Sequence, residues 1–301
     1  MPQVKDQIDT NAATTFLRAI TADWFYIQQD VRLELRCLFR GKTPQIAHFH
    51  PTEAGIAEAA DFAASMNRYD YNIYPVINPV KAEKAVSGRA ASDDDIAAAV
   101  FHWADSDDQA SADALRKFAG PRPNMVVITG TTPLVRPHAY WHIADGPITD
   151  LAAWRTVQEG IAATFGSDPT VVNASRIMRL PGMVNWPTDK KAAAGRVAEI
   201  ATVTVFEDRE RVPFDRMQRT FGGATPARTV SGQALEIDTG GMAAPLDRKR
   251  TRIQALSGQD WHNAVIKLVA SYVSRGLSDD EIHGLTDPLT LPGYTVEQTR
   301  R

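Results

Sequence analysis

The sequence predicts an α/β chain of the α+β kind, with mixed or antiparallel sheets and flanking helices over residues 1–222, a linker over 223–245 and a small all-helical region over 246–301. Three observations carry this expectation. Val31, Leu33, Leu35, Cys37 and Phe39 alternate with more polar neighbours, the period of a strand with one face in a core. Leu151, Trp154, Val157, Ile161 and Phe165 recur at helical spacing, an amphipathic helix. Between about Gly222 and Pro245 both periods dissolve into Gly, Ala, Thr and Ser, the composition of a linker.

Taken in order, Thr10 or Asn11 is placed to cap a short helix bearing Phe16, Leu17 and Ile20. The strand from Val31 ends in a turn at Gly41, and a hairpin leads to His48-Phe49-His50. Thr52 caps a helix with Ile56, Ala59, Ala63 and Met66 on one face. Tyr71 to Pro79 is β-rich and closes on the turn signal Asn78-Pro79, and Lys81 to Ser92 reads as an exposed loop. Val100 to Trp103 is an apolar strand that runs into acidic residues. Ser111 caps a helix through Phe118, stopped by Gly120 and Pro121. Met125 to Thr129 is a short buried strand. The loop Gly130 to Pro137 then leads into His138 to Ile143, whose alternation puts His138, Tyr140 and His142 on one face, a polar face that wants a partner. Asp150 caps the helix ending at Phe165 and Gly166 stops it. Arg196 to Phe206 is a further strand. Beyond the linker, Ala264, Leu268 and Tyr272 share a helical face and Ser278-Asp279-Asp280-Glu281 is a capping box. The tail has no clear stop, as in a chain that continues into a longer polypeptide.

Composition narrows the class. With 44% hydrophobic and 23% charged residues among 301, the chain is an ordinary globular one, which excludes wholesale disorder and fibrous architectures. A net charge of −3 argues against a protein that coats nucleic acid indiscriminately, yet leaves room for a local basic groove, which depends on where Lys and Arg sit. Cys37 is the single cysteine, so no disulfide forms within the chain and a reducing cytoplasm fits. No stretch approaches the roughly 18 apolar residues of a membrane span, and the expectation is a soluble protein with no membrane partner.

The stretch that carries chemistry is Val100 to Asp108. Read as a strand, it points Asp105 and Asp107 to one face while Val100 to Trp103 anchor it in a core. Two carboxylates held so close repel unless a cation lies between them, and hard oxygen ligands suit Mg²⁺ or Mn²⁺. The bland alternative is a strand ending in a solvated acidic turn. An EF-hand fits poorly, because Ala110 stands where its sharp turn needs Gly and Arg116 where its last acidic ligand belongs.

Three features follow one another: the pair Asp105 and Asp107, His138 behind the Thr129-Gly130-Thr131 loop, and Asp168 followed by Arg176-x-x-Arg179-Leu180-Pro181-Gly182-x-x-Asn185. In this order they resemble the archaeo-eukaryotic primase superfamily, in particular the RepB-like primase-polymerases of plasmids and phages, over roughly residues 10 to 215. The Arg-to-Asn signature is the most specific of the three. The resemblance implies a primase-polymerase core with an RRM-like mixed or antiparallel sheet and an active-site cleft. It implies an enzyme that makes and extends primers on a single-stranded DNA template from NTP or dNTP substrates by a two-metal mechanism. Asp105, Asp107 and Asp168 would be its catalytic ligands for Mg²⁺ or Mn²⁺. Arg136, His138, Arg176 and Arg179 would hold the incoming nucleotide, with Lys190 and Lys191 reaching phosphate or template backbone. At Arg136 the chain departs from relatives that carry Ser two positions before the His. Residues 246–301 resemble the small helical domain that follows such cores; the Arg248 to Arg252 run reads equally as a nucleic-acid contact or as a solvated charge run, and whether a helicase domain follows in the intact protein is not set by this sequence.

Two other classes compete. His48-Phe49-His50 has the form used by rolling-circle replication endonucleases, which need a nucleophilic tyrosine downstream, and Tyr69 and Tyr71 are the near candidates. A non-catalytic nucleic-acid-binding module is the third.

Overall fold

Asp9, not Thr10 or Asn11, opens the first helix, α1 (Thr10–Thr21). Its carboxylate accepts the amides of Asn11 and Ala12, so Thr10 is already helical and the cap lies one residue earlier than expected. The computed structural model describes residues 4–39, 43–167 and 171–223, with Val265, Leu268, Val269, Ile282 and residues 286–290. It divides into two units, Met1–Thr229 and Val230–Arg301. The expected turn at Gly41, the acidic Asp168, most of the linker, the capping box and the Arg248 to Arg252 run lie outside the described residues. In the second unit Val265, Leu268, Ile282 and Leu289 are buried, and the Thr286 hydroxyl donates to the Ile282 carbonyl at 2.9 Å.

The alternating run forms β1 (Val31–Leu38), the centre of an antiparallel sheet with β2 (Gln45–Phe49) on one side and β3 (Asn72–Pro75) on the other; β4 (Val80–Lys81) pairs its start. Its apolar residues are buried with α1 and α2 (Glu53–Arg68), whose Ile56, Ala59 and Ala63 share one core with Phe16, Leu17 and Ile20. Thr52 caps α2 as expected, accepting the Gly55 amide at 3.2 Å. The segment after β4 is a half-buried single turn, α3 (Ala82–Ala85), and the chain is exposed from Val86 to Ala90.

A second antiparallel sheet has the order β10-β6-β7-β5, formed by β5 (Phe101–Asp105), β6 (Met125–Ile128), β7 (Pro137–His142) and β10 (Thr202–Val205). The Arg196 to Phe206 strand is broken at Ala201. Its first part, β9 (Glu199–Ile200), pairs with β8 (Val184–Asn185), while β10 pairs with β6. Between these strands lie α4 (Gln109–Lys117), α5 (Leu151–Phe165) and the short α6 (Asp189–Ala193), and α7 (Phe214–Phe221) follows β10. Asp108 caps α4 by accepting the Ser111 amide at 2.8 Å, which makes Ser111 the third helical residue instead of the cap. Asp150 and the left-handed Gly166 bound α5 as expected.

Both faces of β7 are covered, so its histidine face is not solvated. Tyr140 packs edge-on against Phe16, and Trp141 sits behind with Phe165 and Phe221. His142 meets the buried Asp23 at 2.8 Å. On β5, His102 lies between the rings of Trp154 and Phe214 with its Nδ1 3.3 Å from the Gln158 carbonyl. Burial pushes the His102 imidazole down to about 3 from 6.5, so it stays neutral in the folded chain. His142 is lowered by burial and then by Arg211. In the unfolded chain both protonate near pH 6.5, so below that the unfolded state binds more protons and stability falls with pH. The urea midpoint should therefore drop between pH 7 and pH 5, above the window of ordinary carboxylates, and His102→Asn should flatten that slope; an unchanged slope removes His102 as the cause.

Among the described residues no helix is long and apolar enough to cross a membrane.

Candidate active site

The antiparallel register of β5 and β7 sets Asp105 directly opposite His138. Asp105 Oδ1 and His138 Nε2 are 3.1 Å apart, with both side chains largely buried. Burial pushes the Asp105 carboxyl up, but His138, Arg176 and Lys191 outweigh it and leave the group below its ordinary value. Asp105 is therefore an anion held in a cationic surround.

Asp107 differs from the expectation. The strand ends at Asp105, because Asp108 turns the chain into α4, so Asp107 stands in the connecting loop and not on the sheet. Its half-exposed carboxylate meets Arg196 Nη1 at 3.3 Å and Lys191 Nζ at 3.8 Å. Lys190 and Lys191, both singled out in the sequence, are exposed on α6, and Lys191 makes the acidic contact.

The basic signature runs along β3. The Met178 amide donates to Pro75 and the Leu180 amide to Ile73, each at 3.1 Å, and Ile177 bridges Val76. This carries Arg176 and Arg179 to the acidic pair. Arg179 donates to Asn72 Oδ1 at 2.5 Å and to Tyr74 Oη at 2.9 Å, and its guanidinium lies 4.4 Å from the centre of the Tyr74 ring. Burial lowers its pKa, with Tyr74, Asp107 and Asp105 acting in the opposite sense, so both acids lie within its field. Asn72 and Tyr74, two apart on β3, support Arg179 and were not singled out in the sequence. The only signal was their period-two spacing.

Arg136 does something other than the sequence implied. It is 1% exposed and donates from Nη1 to the carbonyls of Thr132 and Leu134 at 2.7 and 3.1 Å, and from Nη2 to Glu199 at 3.4 Å. Both terminal nitrogens are engaged in holding the Gly130 to Pro137 loop and the remaining Nε is buried without a partner, so the side chain is a loop staple and not an exposed triphosphate ligand. Gly130 makes room, since a Cβ there would lie 1.9 Å from Arg136 Nη2. Glu199 completes this staple, accepting the Thr131 amide at 3.0 Å and the Thr131 hydroxyl at 2.6 Å. The loop in turn sets the start of β7 and hence His138. Sequence reading missed Glu199, although the hydroxyls of Thr131 and Thr132 were a sign that the loop needed an acceptor.

His48 is also accounted for. Its Nε2 lies 2.9 Å from Glu34, a fully buried carboxylate that also accepts Arg36 Nε at 2.5 Å and the Ala91 amide at 3.0 Å. That ring is part of a structural ion network, while Tyr69 is exposed and Tyr71 buried.

Among the described residues, several of the buried polar atoms without a hydrogen-bond partner gather here: Asp105 Oδ1, Ser106 Oγ, His138 Nδ1 and Tyr140 Oη. They belong to residues adjacent in sequence or across the β5–β7 ladder. The 3.1 Å approach of His138 to Asp105 lacks the alignment of a hydrogen bond. Burial and then Asp105 raise the Tyr140 phenol, which stays protonated and able to donate. Buried groups rarely stay unsatisfied, so such a concentration marks a place for a ligand. A free carboxylate oxygen fits a hard divalent ion. Among the described residues no group of three His, Cys, Asp or Glu side chains is arranged to hold a metal. One or two carboxylates suffice for Mg²⁺ where substrate phosphates complete its shell, and Asp105 and Asp107 are the carboxylates that could supply them here.

No known family model matches the chain, and no curated protein does. Among solved structures it is similar to the AEP domain of the cyanophage S-2L primase-polymerase, with 21% identity over 72% of this chain and 97% of that one and a TM-score of 0.48. It is also similar to primase RepB′, with 15% identity over 89% of this chain and 85% of that one and a TM-score of 0.46. A third is the catalytic domain of primase RepB′ in complex with initiator DNA, at 15% identity over 68% of this chain and 92% of that one, TM-score 0.41.

Proposed function

We propose that the chain is a DNA primase-polymerase that joins nucleotides on a single-stranded template with release of pyrophosphate. The observation that carries this reading is the Asp105 and His138 pair, buried with unsatisfied polar atoms and ringed by Arg176, Arg179 and Lys191. An anionic ion site beside a surplus of cations suits a metal-bound triphosphate. Asp105 and Asp107 hold Mg²⁺ or Mn²⁺, with Asp168 as a further ligand. When bound, the ions lower the pKa of the primer 3′-hydroxyl and carry the charge that develops on pyrophosphate.

The chain's own residues do the rest. His138 and Arg176 bind the triphosphate, and Arg179, fixed by Asn72 and Tyr74, balances charge without moving. Glu199 and Arg136 hold the loop that sets His138. Lys190 and Lys191, on one short helix, face the phosphate backbone of the template. These residues all fall within residues 1–222, and the helical region 246–301 is assigned the starting of new chains.

The test is incorporation of labelled NTP or dNTP on single-stranded DNA with Mg²⁺ or Mn²⁺. Metal-dependent product supports the reading, and no product with either ion and either substrate ends it. His138→Ala and Arg176→Ala should each weaken nucleotide binding by about 1–3 kcal/mol, the scale of a hydrogen bond to a charged group. Template affinity should change less, as read by anisotropy of a labelled oligonucleotide. An unchanged nucleotide affinity in both variants would move the triphosphate elsewhere.

A further inference from the structure

We infer that the cleft between Phe39 and Trp186 seats one unpaired base of the template strand, a subsite that rests on the reading of the chain as a template-using enzyme. The cleft has a volume of about 520 Å³, and one of its lining side chains, Asn72, also holds Arg179. Asn72 makes the connection: its Oδ1 accepts Arg179 Nη1 at 2.5 Å and the Trp186 amide at 2.8 Å, and its Nδ2 donates to the Trp186 carbonyl at 2.9 Å. One side chain therefore fixes the backbone of the indole and a guanidinium of the active site.

Both aromatic walls are preset. Phe39 leans on the Tyr71 ring at 5.6 Å, and Lys5 Nζ lies 5.4 Å from the centre of the Trp186 ring while pairing with Asp70 at 2.6 Å. Rigid aromatic walls of this kind stack any base, because every base has a π face. The polar lining selects a neutral heterocycle over a phosphate. Asp70 and Asp189 put carboxylates in the lining, which disfavours a phosphate even though Lys5 offsets the charge of Asp70, and carboxylate oxygens can accept the amino and ring N–H groups of a base. Asp70 holds its place in a left-handed backbone conformation, φ 69°, which Asp tolerates better than most residues.

Phosphates, excluded from the acidic cleft, have a path outside it. Thr188 and Asp189 line the cleft and open α6, which presents Lys190 and Lys191 on its exposed surface. A strand that lays its backbone on those lysines can turn a base inward between the rings. A nucleoside triphosphate has no such division, since its charge is concentrated on the group already provided for at His138 and Arg176.

The experiment measures binding by the full chain, without catalysis, of a labelled deoxyoligonucleotide and of an abasic strand of equal length. The base-bearing strand should bind more tightly. Trp186→Ala should weaken it about ten- to a hundredfold and leave the abasic strand and the salt dependence unchanged, since stacking releases no counterions. Trp186→Phe should restore most of the loss, and Phe39→Leu should show a smaller one. Equal affinity of the two strands for the wild-type protein overturns the inference without any variant. So does an equal loss for both strands, or a loss confined to labelled nucleoside triphosphate, which would make the cleft the seat of the incoming base. A protein that prefers base-bearing strands but incorporates no nucleotide keeps this subsite and loses the polymerase. An active polymerase indifferent to bases does the reverse.

Discussion

Asp105→Asn should reduce metal-dependent nucleotide incorporation by about two to four orders of magnitude while leaving the fold in place. The substitution preserves shape and removes the charge. Losing a carboxylate ligand forfeits several kcal/mol of charge stabilisation at the reacting phosphate, and each 1.36 kcal/mol or so is a factor of ten in rate. The side chain is the last residue of β5, tied by backbone to β7, so Asn sits where Asp sat. Its stability cost follows from the depressed pKa. Burial works against the anion, but His138, Arg176 and Lys191 favour it, so the folded state prefers the ionised form. That preference is present above the usual carboxylate value and is lost as pH falls through the lower folded value. At neutral pH the Asn variant should therefore melt slightly below the wild type, not above it. Asp107→Asn should damage activity with less effect on melting, because that carboxylate is half exposed. Near wild-type incorporation by Asp105→Asn would exclude the pair as the ion site.

What could be read from the sequence was what local chemistry decides. Thr52 and Asp150 as caps, Gly166 as a stop and the alternation of β1 depend on residues within a few positions of one another, and the structure has them so. Where two cap candidates stood close together the reading slipped, as at Asp9 and Asp108, since a carboxylate just upstream takes the amides that Thr10, Asn11 or Ser111 were expected to serve. In the candidate site, the residue types Asp105, His138, Arg176 and Arg179 were visible, but their meeting was not. The β5–β7 register that faces Asp105 with His138 joins residues on either side of α4 and β6. Arg136 shows the limit of reading by type. A lone arginine before a histidine looks like an anion ligand, and only the fold brings Glu199 and two carbonyls to take up its donors. Asn72 and Tyr74 escaped notice for the same reason, being about a hundred residues from Arg179 in the chain yet in contact with it.

The last expectation concerns the glycine of the basic signature. Gly182→Ala should cost about 2–5 kcal/mol of stability and take most activity with it. Gly182 has φ +79°, a left-handed conformation that costs an L side chain about 1–2 kcal/mol. The remainder is steric. A Cβ at this position would lie 2.0 Å from the Asp9 carbonyl oxygen and 3.1 Å from the Ala13 amide, and both are backbone atoms of the first turn of α1 that cannot swing away. The approach is part of the fold's wiring: the Asp9 amide donates to the Gly182 carbonyl at 2.8 Å, and the Gly182 amide to the Ala201 carbonyl at 2.7 Å. Three residues on, Asn185 donates to Thr129 at the end of β6 at 2.7 Å, and three residues back Arg179 meets β3. The signature therefore fastens α1, β3, β6 and the β9–β10 junction together, and the same segment delivers Arg176 and Arg179 to Asp105. Pushing it off Asp9 should displace both guanidiniums. Gly146→Ala is the control, since its φ is +86° with nothing within 4 Å of the added atom, so it carries the conformational cost alone. Denaturant midpoints of the two variants separate the terms. If Gly182→Ala loses no more than Gly146→Ala, the helix start yields to the methyl, and the glycine is there for its backbone angle and not for the closeness of α1.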